Sequence, residues 1–433
     1  MFYVTSGGAW REQRTHRYHD TRSRYSPKFD RCREFEAAAE LQRLCVEYLD
    51  DDADTLNVVR LVNNELGNIA TKVLFSKAIL NPTDESAEKF MELMHCKYGD
   101  EVRCVVINTS LDPDLEYWNA GALPESEVLP SFADAIGSLS SFRNLQELKD
   151  AAETPEFRNE ILKIVLGALE EITALDVLSI KNLQDHTDRQ ILKSDAFPIH
   201  RGFTTDLPEL WLKPALSHLT HLTLYSYTCM WGLFPFVDFR NIGTFPSLPY
   251  LSLGNFAIAH DWQVDWILSH GPTLKQLLLD DCPIITALKM EVDMVKVAFP
   301  KLHSLPESMR PDWNGCYFKE ISLRWHDVFD RFRSGLPHLQ HFAACGSEHW
   351  TNDAFDHRYE LTNRSVGNRY YVFDCGSVPP WRDFPERSSH NFYRRGSHPN
   401  SARHVEFPRC YDEDVEALGR LMKVANERAR IAV

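Results

Sequence analysis

The sequence predicts an α/β chain. A small N-terminal helical module leads into an irregular solenoid of strand–turn–helix units, and a C-terminal helix caps the open end. Three observations carry this: a frame of spaced leucines that recurs between residues 102 and 345, helical apolar stripes where connectors are needed, and short helical patterns over residues 36–80.

The stretch "TLKQLLLDDCPI" (273–284) sets Leu274, Leu277, Leu279 and Cys282 in the spacing L-x-x-L-x-L-x-x-N/C, the leucine-rich-repeat frame. The same spacing holds for Leu175, Leu178 and Ile180, for Leu219, Leu222 and Leu224, and for Leu248, Leu251 and Leu253. Phe318, Ile321 and Leu323, then Leu339, Phe342 and Ala344, fit more loosely. Upstream, Val102, Val105 and Ile107 are compatible, and Leu145 with Leu148 forms half a frame. Successive starts lie 43, 30, 44, 29, 26, 44 and 21 residues apart, so the array is irregular, with insertions or a missed unit in the long gaps. The last two apolar positions of a frame are two residues apart, which puts them on one side of a strand. One such strand cannot bury its leucines alone, whereas copies stacked in a parallel sheet share a core.

The connectors should be helices. In "HDWQVDWILSHGPTL" (260–274), Val264, Ile267 and Leu268 form a helical stripe beside Trp262 and Trp266, with Asp261 expected to cap the start and Gly271-Pro272 to end it. "HDVFDRFRSGLP" (326–337) repeats this grammar with Gly335 as the stop. Thr154 and Pro155 open another helix, with Ile161, Ile164, Val165, Ala168 and Leu169 on its apolar face. The last helix, from about 412 to 428, presents Val415, Leu418, Leu421 and Met422, with acidic residues at its start and basic ones at its end, as the helix dipole favours. The expected organisation is a disordered basic tail over 1–31, the helical module over 32–82, the solenoid over 83–345, an irregular extension over 346–410 containing a strand at "RYYVFD" (369–374), and the C-terminal helix over 411–433. An organelle-targeting segment is the alternative reading of the tail.

Composition excludes several function classes. A net charge of -15, from 62 acidic and 47 basic residues, is the wrong sign for broad nucleic-acid binding. The ten cysteines show no C-x-x-C and no zinc-finger spacing, so the expectation is reduced, mostly buried thiols in an intracellular chain of the cytoplasm or nucleus, with no metal and no cofactor. No apolar run reaches the length of a membrane span. No G-x-S-x-G, H-E-x-x-H, P-loop or G-x-G-x-x-G occurs, and no catalytic residue is expected. His260-Asp261 and His326-Asp327 have the residue types of an acid/base pair, but both precede helices, where capping accounts for them.

The helical module carries three patterns: Leu41, Leu44, Cys45 and Leu49; Val58, Leu61 and Val62 after a cap at Asp54 or Thr55; and Ile69, Val73 and Leu74 in a helix running to Ile79. Glu40-Leu41, Cys45-Val46, Leu49, Leu56, "RLVN" (60–63), "IAT" (69–71) and Leu74-Phe75 resemble an F-box, with "LNVVRLVNNELGNIATKVLFSKAI" (56–79) the closer part. The family's usual Leu-Pro opening is replaced by Ala37-Ala38. Residues 245–284 and the tail "FPRCYDEDVEALGRLMKVANERAR" are similar to a group of filamentous-fungal F-box proteins with leucine-rich-repeat-like domains. The resemblance implies a substrate-recognition subunit of a Skp–cullin–F-box ubiquitin ligase, whose F-box docks a Skp-family adaptor and whose remaining domain holds a target protein. It further implies that Leu41, Val46, Leu49, Leu61, Val62, Leu74 and Phe75 form the F-box core or its docking face. The altered opening supports the alternative, a protein-binding scaffold whose F-box no longer works.

Residues between the frame leucines should point out of the core and form the target-binding face. They are Lys181, His221, Thr223, Tyr225, Tyr250, Gln276, Asp280, Glu320, Arg324 and His341. Trp262 and Trp266 are read as core or groove lining rather than a ligand platform. The basic aromatic stretch 387–403 is read as a solvated loop, and Asp50 to Asp52 with Asp54 as an acidic loop rather than a cation site.

Overall fold

A computed structural model of the chain describes residues 40–49, 52–108, 128–151, 164–165, 168, 177–180, 207–209, 211–226, 230–233, 236–291, 316–345, 370–374, 389–392 and 403–431. The basic tail, the stretch 393–402, and most of the helix expected after Pro155 lie outside the described residues. The chain divides into two compact units, Met1–Thr71 and Lys72–Val433.

The first unit contains α1 (40–47), α2 (Ala53–Val59) and most of α3 (Asn64–Leu74). Asp52, rather than Asp54 or Thr55, caps α2. Its carboxylate accepts from the Thr55 hydroxyl at 2.6 Å and from the Thr55 backbone N–H at 2.9 Å, and these bonds hold the carboxyl below its ordinary range. One member of the acidic run is thereby committed to a helix end. Val46, Leu56 and Ala70 are buried, and Arg60 donates to the Thr71 hydroxyl at 3.0 Å.

The helix expected to reach Ile79 stops at Leu74, and the next residues form a strand, β1 (Lys77–Leu80). Period-two alternation decides the matter: Ala78 and Leu80 are buried, while Lys77 and Ile79 are exposed.

In the second unit β1 opens a sheet with β2 (Cys104–Asn108), β3 (Glu147–Ala151), β4 (Val177–Ile180), β5 (His221–Tyr225), β6 (Tyr250–Gly254), β7 (Gln276–Asp280) and β10 (His341–Cys345). All seven pairings are parallel and in register. One row across the strands reads Ala78, Val105, Leu148, Leu178, Leu222, Leu251, Leu277 and Phe342, every one buried. The row two residues on contains Leu80, Ile107, Ile180, Leu224, Leu253, Leu279 and Ala344, also buried. From Val105 and Ile107 onward these are the frame positions, and both rows face one side of the sheet.

The expected solenoid is corrected. The described residues of this unit build an α/β fold around a parallel eight-stranded sheet. A solenoid stacks copies of one unit, each touching its neighbours. Here the connections are unlike one another. They include α4 (Asp84–His95), α5 (Pro130–Gly137), a single 3-10 turn at Phe239–Asn241, and α6 (Asp261–Ser269). Between β7 and β10 the chain forms β8 (Ile284–Glu291) and β9 (Cys316–Glu320), which join β11 (Tyr370–Asp374) in a separate mixed sheet. The frame at Phe318 is therefore not a rung of the main sheet. Its strand pairs antiparallel with β8, and Ile321 to Leu323 lie outside any strand. The helix expected as a solenoid cap, α8 (Tyr411–Ile431), packs along α7 (Trp325–Gly335) and against edge strand β10. Arg428 donates to the carbonyls of Leu336 and Arg333, and Arg420 pairs with Asp330 at 2.9 Å. Leu421 is buried, but Val415, expected beside it, is exposed. β12 (Ser389–Phe392) and β13 (Arg403–Glu406) form an antiparallel pair, so part of the stretch read as a solvated loop is strand.

Connector α6 shows how residue chemistry holds the fold. Its cap position is His260 rather than Asp261; Gln263 accepts from the backbone N–H groups of Ala259 and His260 at 2.7 and 2.9 Å. Trp266 is core. It stacks on Phe239 at 4.1 Å, and its indole N–H donates to Gly243 at 3.0 Å. Trp262 is half-buried beneath the Arg240 guanidinium, 4.6 Å from the ring centre. The stop of α6 abuts the stop of α7: a Cβ on Gly271 would lie 2.3 Å from the Gly335 carbonyl oxygen, so only glycine fits. At the end of α6, His270 is fully buried with both ring nitrogens used. Nδ1–H donates to the Trp266 carbonyl at 2.9 Å, and Nε2 accepts from the Phe245 N–H at 3.2 Å.

That pairing requires a neutral ring, and burial lowers the His270 pKa from 6.5 to about 4. The unfolded chain binds this proton between those values while the folded chain does not. The stabilisation is therefore complete above pH 6.5 and lost as pH falls towards 4. Urea unfolding at pH 7 and pH 4.5 should show His270 alone contributing a loss of about 2–3 kcal/mol. His270→Gln should flatten that part of the pH dependence, and an unchanged slope would contradict the assignment.

Candidate functional site

The side of the main sheet opposite the leucine rows was the expected target-binding face. In the row Val177, His221, Tyr250, Gln276 and His341, every residue is half-buried. The His221 and Tyr250 rings stack at 4.1 Å with only 7° between their planes. The next row, Ser179, Thr223, Ser252, Leu278 and Ala343, is buried throughout. Tyr225 and Asp280, expected to point into solvent, are buried as well, and the Tyr225 hydroxyl donates to the Asp280 carboxylate at 3.2 Å.

The local reason is the register Tyr225, Gly254, Asp280. The Tyr225 ring crosses over β6 where it has no side chain; a Cβ on Gly254 would lie 2.5 Å from that ring. The expectation of an open face is thus corrected for Thr223, Tyr225 and Asp280. Parallel sheets are commonly covered on both sides, and the alternation along a strand does not reveal it.

Glu320 is exposed at the end of β9, away from this row. Half-buried Arg324 donates to the carbonyls of Ile321 and Leu323. Neither belongs to the main sheet, and Lys181 lies outside the described residues. His221, Tyr250, Gln276 and His341 are the expected residues that the structure does bring together.

The residues expected to form an F-box core or docking face are also sorted. Val46 is buried and Leu49 half-buried, whereas Leu41, Leu61 and Val62 are 62%, 86% and 62% exposed. Leu44, Tyr48 and Val58 are exposed alongside them in sequence. The apolar face expected for α1 is therefore largely outside, and Val46 is its inward residue. Leu74 and Phe75 belong to the second unit, where both are half-buried and Phe75 stacks on Tyr98 at 4.3 Å. Among the described cysteines, Cys45 and Cys96 are exposed and Cys282 is buried, so burial of thiols is not general. Burial pushes the Cys282 thiol well up, and its Sγ donates to the Leu253 carbonyl at 3.2 Å, which accounts for cysteine at the last frame position.

A third arrangement gathers side chains that no local sequence pattern groups together. Asp414, in the first turn of α8, is buried, and its Oδ1 accepts from the His326 backbone N–H near the start of α7 at 3.0 Å. His326 Nδ1 lies 3.0 Å from the same oxygen. The Tyr370 hydroxyl on β11 donates to the carboxylate at 3.0 and 3.2 Å and accepts from the Trp325 N–H at 2.9 Å. Cys410 Sγ lies 3.3 Å from the Tyr370 hydroxyl and 3.6 Å from Asp414 Oδ2. One carboxylate thus ties two helix starts and a strand of the second sheet, where the dipoles of both helices favour negative charge. Burial, then the bond with Cys410, raises the Tyr370 hydroxyl far above its ordinary range; burial also raises the Cys410 thiol. Both are protonated at neutral pH.

The expected acid/base pairs resolve differently. His326 takes Asp414 as its near partner, with the adjacent Asp327 at 3.7 Å. Asp261 is exposed and pairs with Arg331 at 3.2 Å, while burial, Lys319 and Arg240 lower the His260 pKa to about 4. The spacing Cys410-x-x-x-Asp414 at a helix start is the local trace of the unforeseen cluster, but His326 stands 88 residues from Asp414. Among the described residues, no helix is long and apolar enough to cross a membrane. No protein-family model and no curated protein matches the chain.

Removing the Asp414 carboxylate takes the acceptor from the His326 backbone N–H and the Tyr370 hydroxyl, both on half-buried residues. Asp414→Ala should cost about 3 kcal/mol in urea unfolding at pH 7. Tyr370→Phe should cost about 1 kcal/mol, and the double variant less than the sum. A loss below about 0.5 kcal/mol for Asp414→Ala would remove the carboxylate from its central place.

Proposed function

We propose that this chain is a non-catalytic adaptor of the intracellular ubiquitin system. The first unit docks a Skp-family adaptor of a cullin ligase, and the second unit holds a target protein. The observation that carries this reading is the exposure of Leu41, Leu61 and Val62 in a small unit that buries Val46 and Leu56. Leu41 on α1 and Leu61 and Val62 in the turn between α2 and α3 are apolar side chains held out at a cost in hydration free energy, and a partner's apolar surface removes that cost. The resemblance of residues 40–75 to an F-box supplies the identity of the partner. The half-buried row His221, Tyr250, Gln276 and His341 would meet a target mainly through the stacked His221 and Tyr250 rings. The mechanism is proximity: a target tethered beside the transferring enzyme is modified at a raised effective concentration. The second reading, a scaffold acting outside any ligase, is favoured by Ala37-Ala38 at the family's Leu-Pro position.

The test is capture of the full chain by purified Skp-family adaptor, with Leu61→Asp, Val62→Asp as the comparison. Both side chains are exposed, so the variant should keep the wild-type circular dichroism spectrum. We expect wild-type binding and at least a tenfold loss in the variant. Failure of the wild-type chain to bind transfers the assignment to the scaffold.

A further inference from the structure

The geometry points to a zinc site formed by His326 Nδ1, Cys410 Sγ and an Asp414 carboxylate oxygen, three ligands brought together from the start of α7 and the start of α8. It is independent of the adaptor reading. The three ligand atoms lie within 4.8 Å of one another, with Nδ1 to Oδ1 at 3.0 Å and Sγ to Oδ2 at 3.6 Å. Zinc bonds of about 2.0 Å to nitrogen or oxygen and about 2.3 Å to sulfur place tetrahedral ligands roughly 3.3–3.7 Å apart, so small side-chain shifts suffice. The set of imidazole, thiolate and carboxylate suits Zn²⁺ and is a poor match to the oxygen-only preference of Ca²⁺ or Mg²⁺.

The surroundings support each ligand. Asp414 is held by the His326 backbone N–H and the Tyr370 hydroxyl, and metal-bound carboxylates are normally hydrogen-bonded in this way. Coordination through Nδ1 puts the imidazole proton on Nε2, and Asp327 Oδ2 stands 3.7 Å from that atom, where its charge favours that tautomer. His326 and Cys410 are half-buried, which leaves solvent a route to the fourth coordination position. On binding, the Cys410 S–H bond breaks, its proton passes to solvent, and the sulfur's electron pair forms the bond to zinc; no oxidant or reductant takes part.

The experiment titrates the chelator-stripped full chain with Co²⁺ as an optical probe and then displaces it with Zn²⁺. The expected result is one equivalent of Co²⁺ with a near-ultraviolet thiolate-to-cobalt band, abolished by Zn²⁺. Cys410→Ser should lose the band, and His326→Ala should weaken Co²⁺ binding at least tenfold. Cys96→Ser, an exposed cysteine outside the cluster, should behave as wild type. Both cluster side chains are half-buried, and circular dichroism of the variants separates loss of the site from loss of the fold. Absence of the band from the wild-type chain, or its persistence in Cys410→Ser, overturns the assignment.

Discussion

Register is the constraint on which the second unit depends. Leu222, Leu251, Leu277 and Phe342 must lie opposite one another across four strands, because a slip of one residue would turn every apolar side chain to the other face. Their alignment creates a continuous buried surface that no single strand possesses. The same alignment places His221 against Tyr250, and Tyr225 over Gly254 to Asp280. The meeting of His221 with Tyr250, and of Tyr225 with Asp280, is therefore a consequence of the packing on the first face.

Much of this sheet is legible in the sequence because leucines two residues apart have a direct physical meaning in a strand. The frames at Leu175, Leu219, Leu248, Leu274 and Leu339 each precede a strand, and Trp262 to Leu268 form the helix their spacing indicates. Spacing does not specify a strand's partner. Phe318 and Ile321 carry the same apolar rhythm, yet β9 turns back against β8 because that pairing is local and antiparallel. Nor does alternation say what covers the second face, so from sequence alone Thr223 and Asp280 read as solvent-facing although both are buried.

The Asp414 cluster was illegible for a different reason. Its members sit on three elements distant in sequence, and each has an ordinary local explanation: His326 beside a helix start, Asp414 in a favourable first helical turn, Tyr370 in a strand. Only the packing of α7 beside α8 gives them a common centre. In the first unit the converse holds. Helical spacing found the apolar residues but could not divide inside from outside, and Leu41 and Val46 proved to fall on opposite sides of that division.

The adaptor account stands on those outward side chains. Hydrogen exchange of the full chain, with and without a purified Skp-family adaptor, reads them most directly. The account predicts adaptor-dependent protection concentrated in amides of α1 to α3. Protection confined to Lys72–Val433, or none at saturating adaptor, would contradict it.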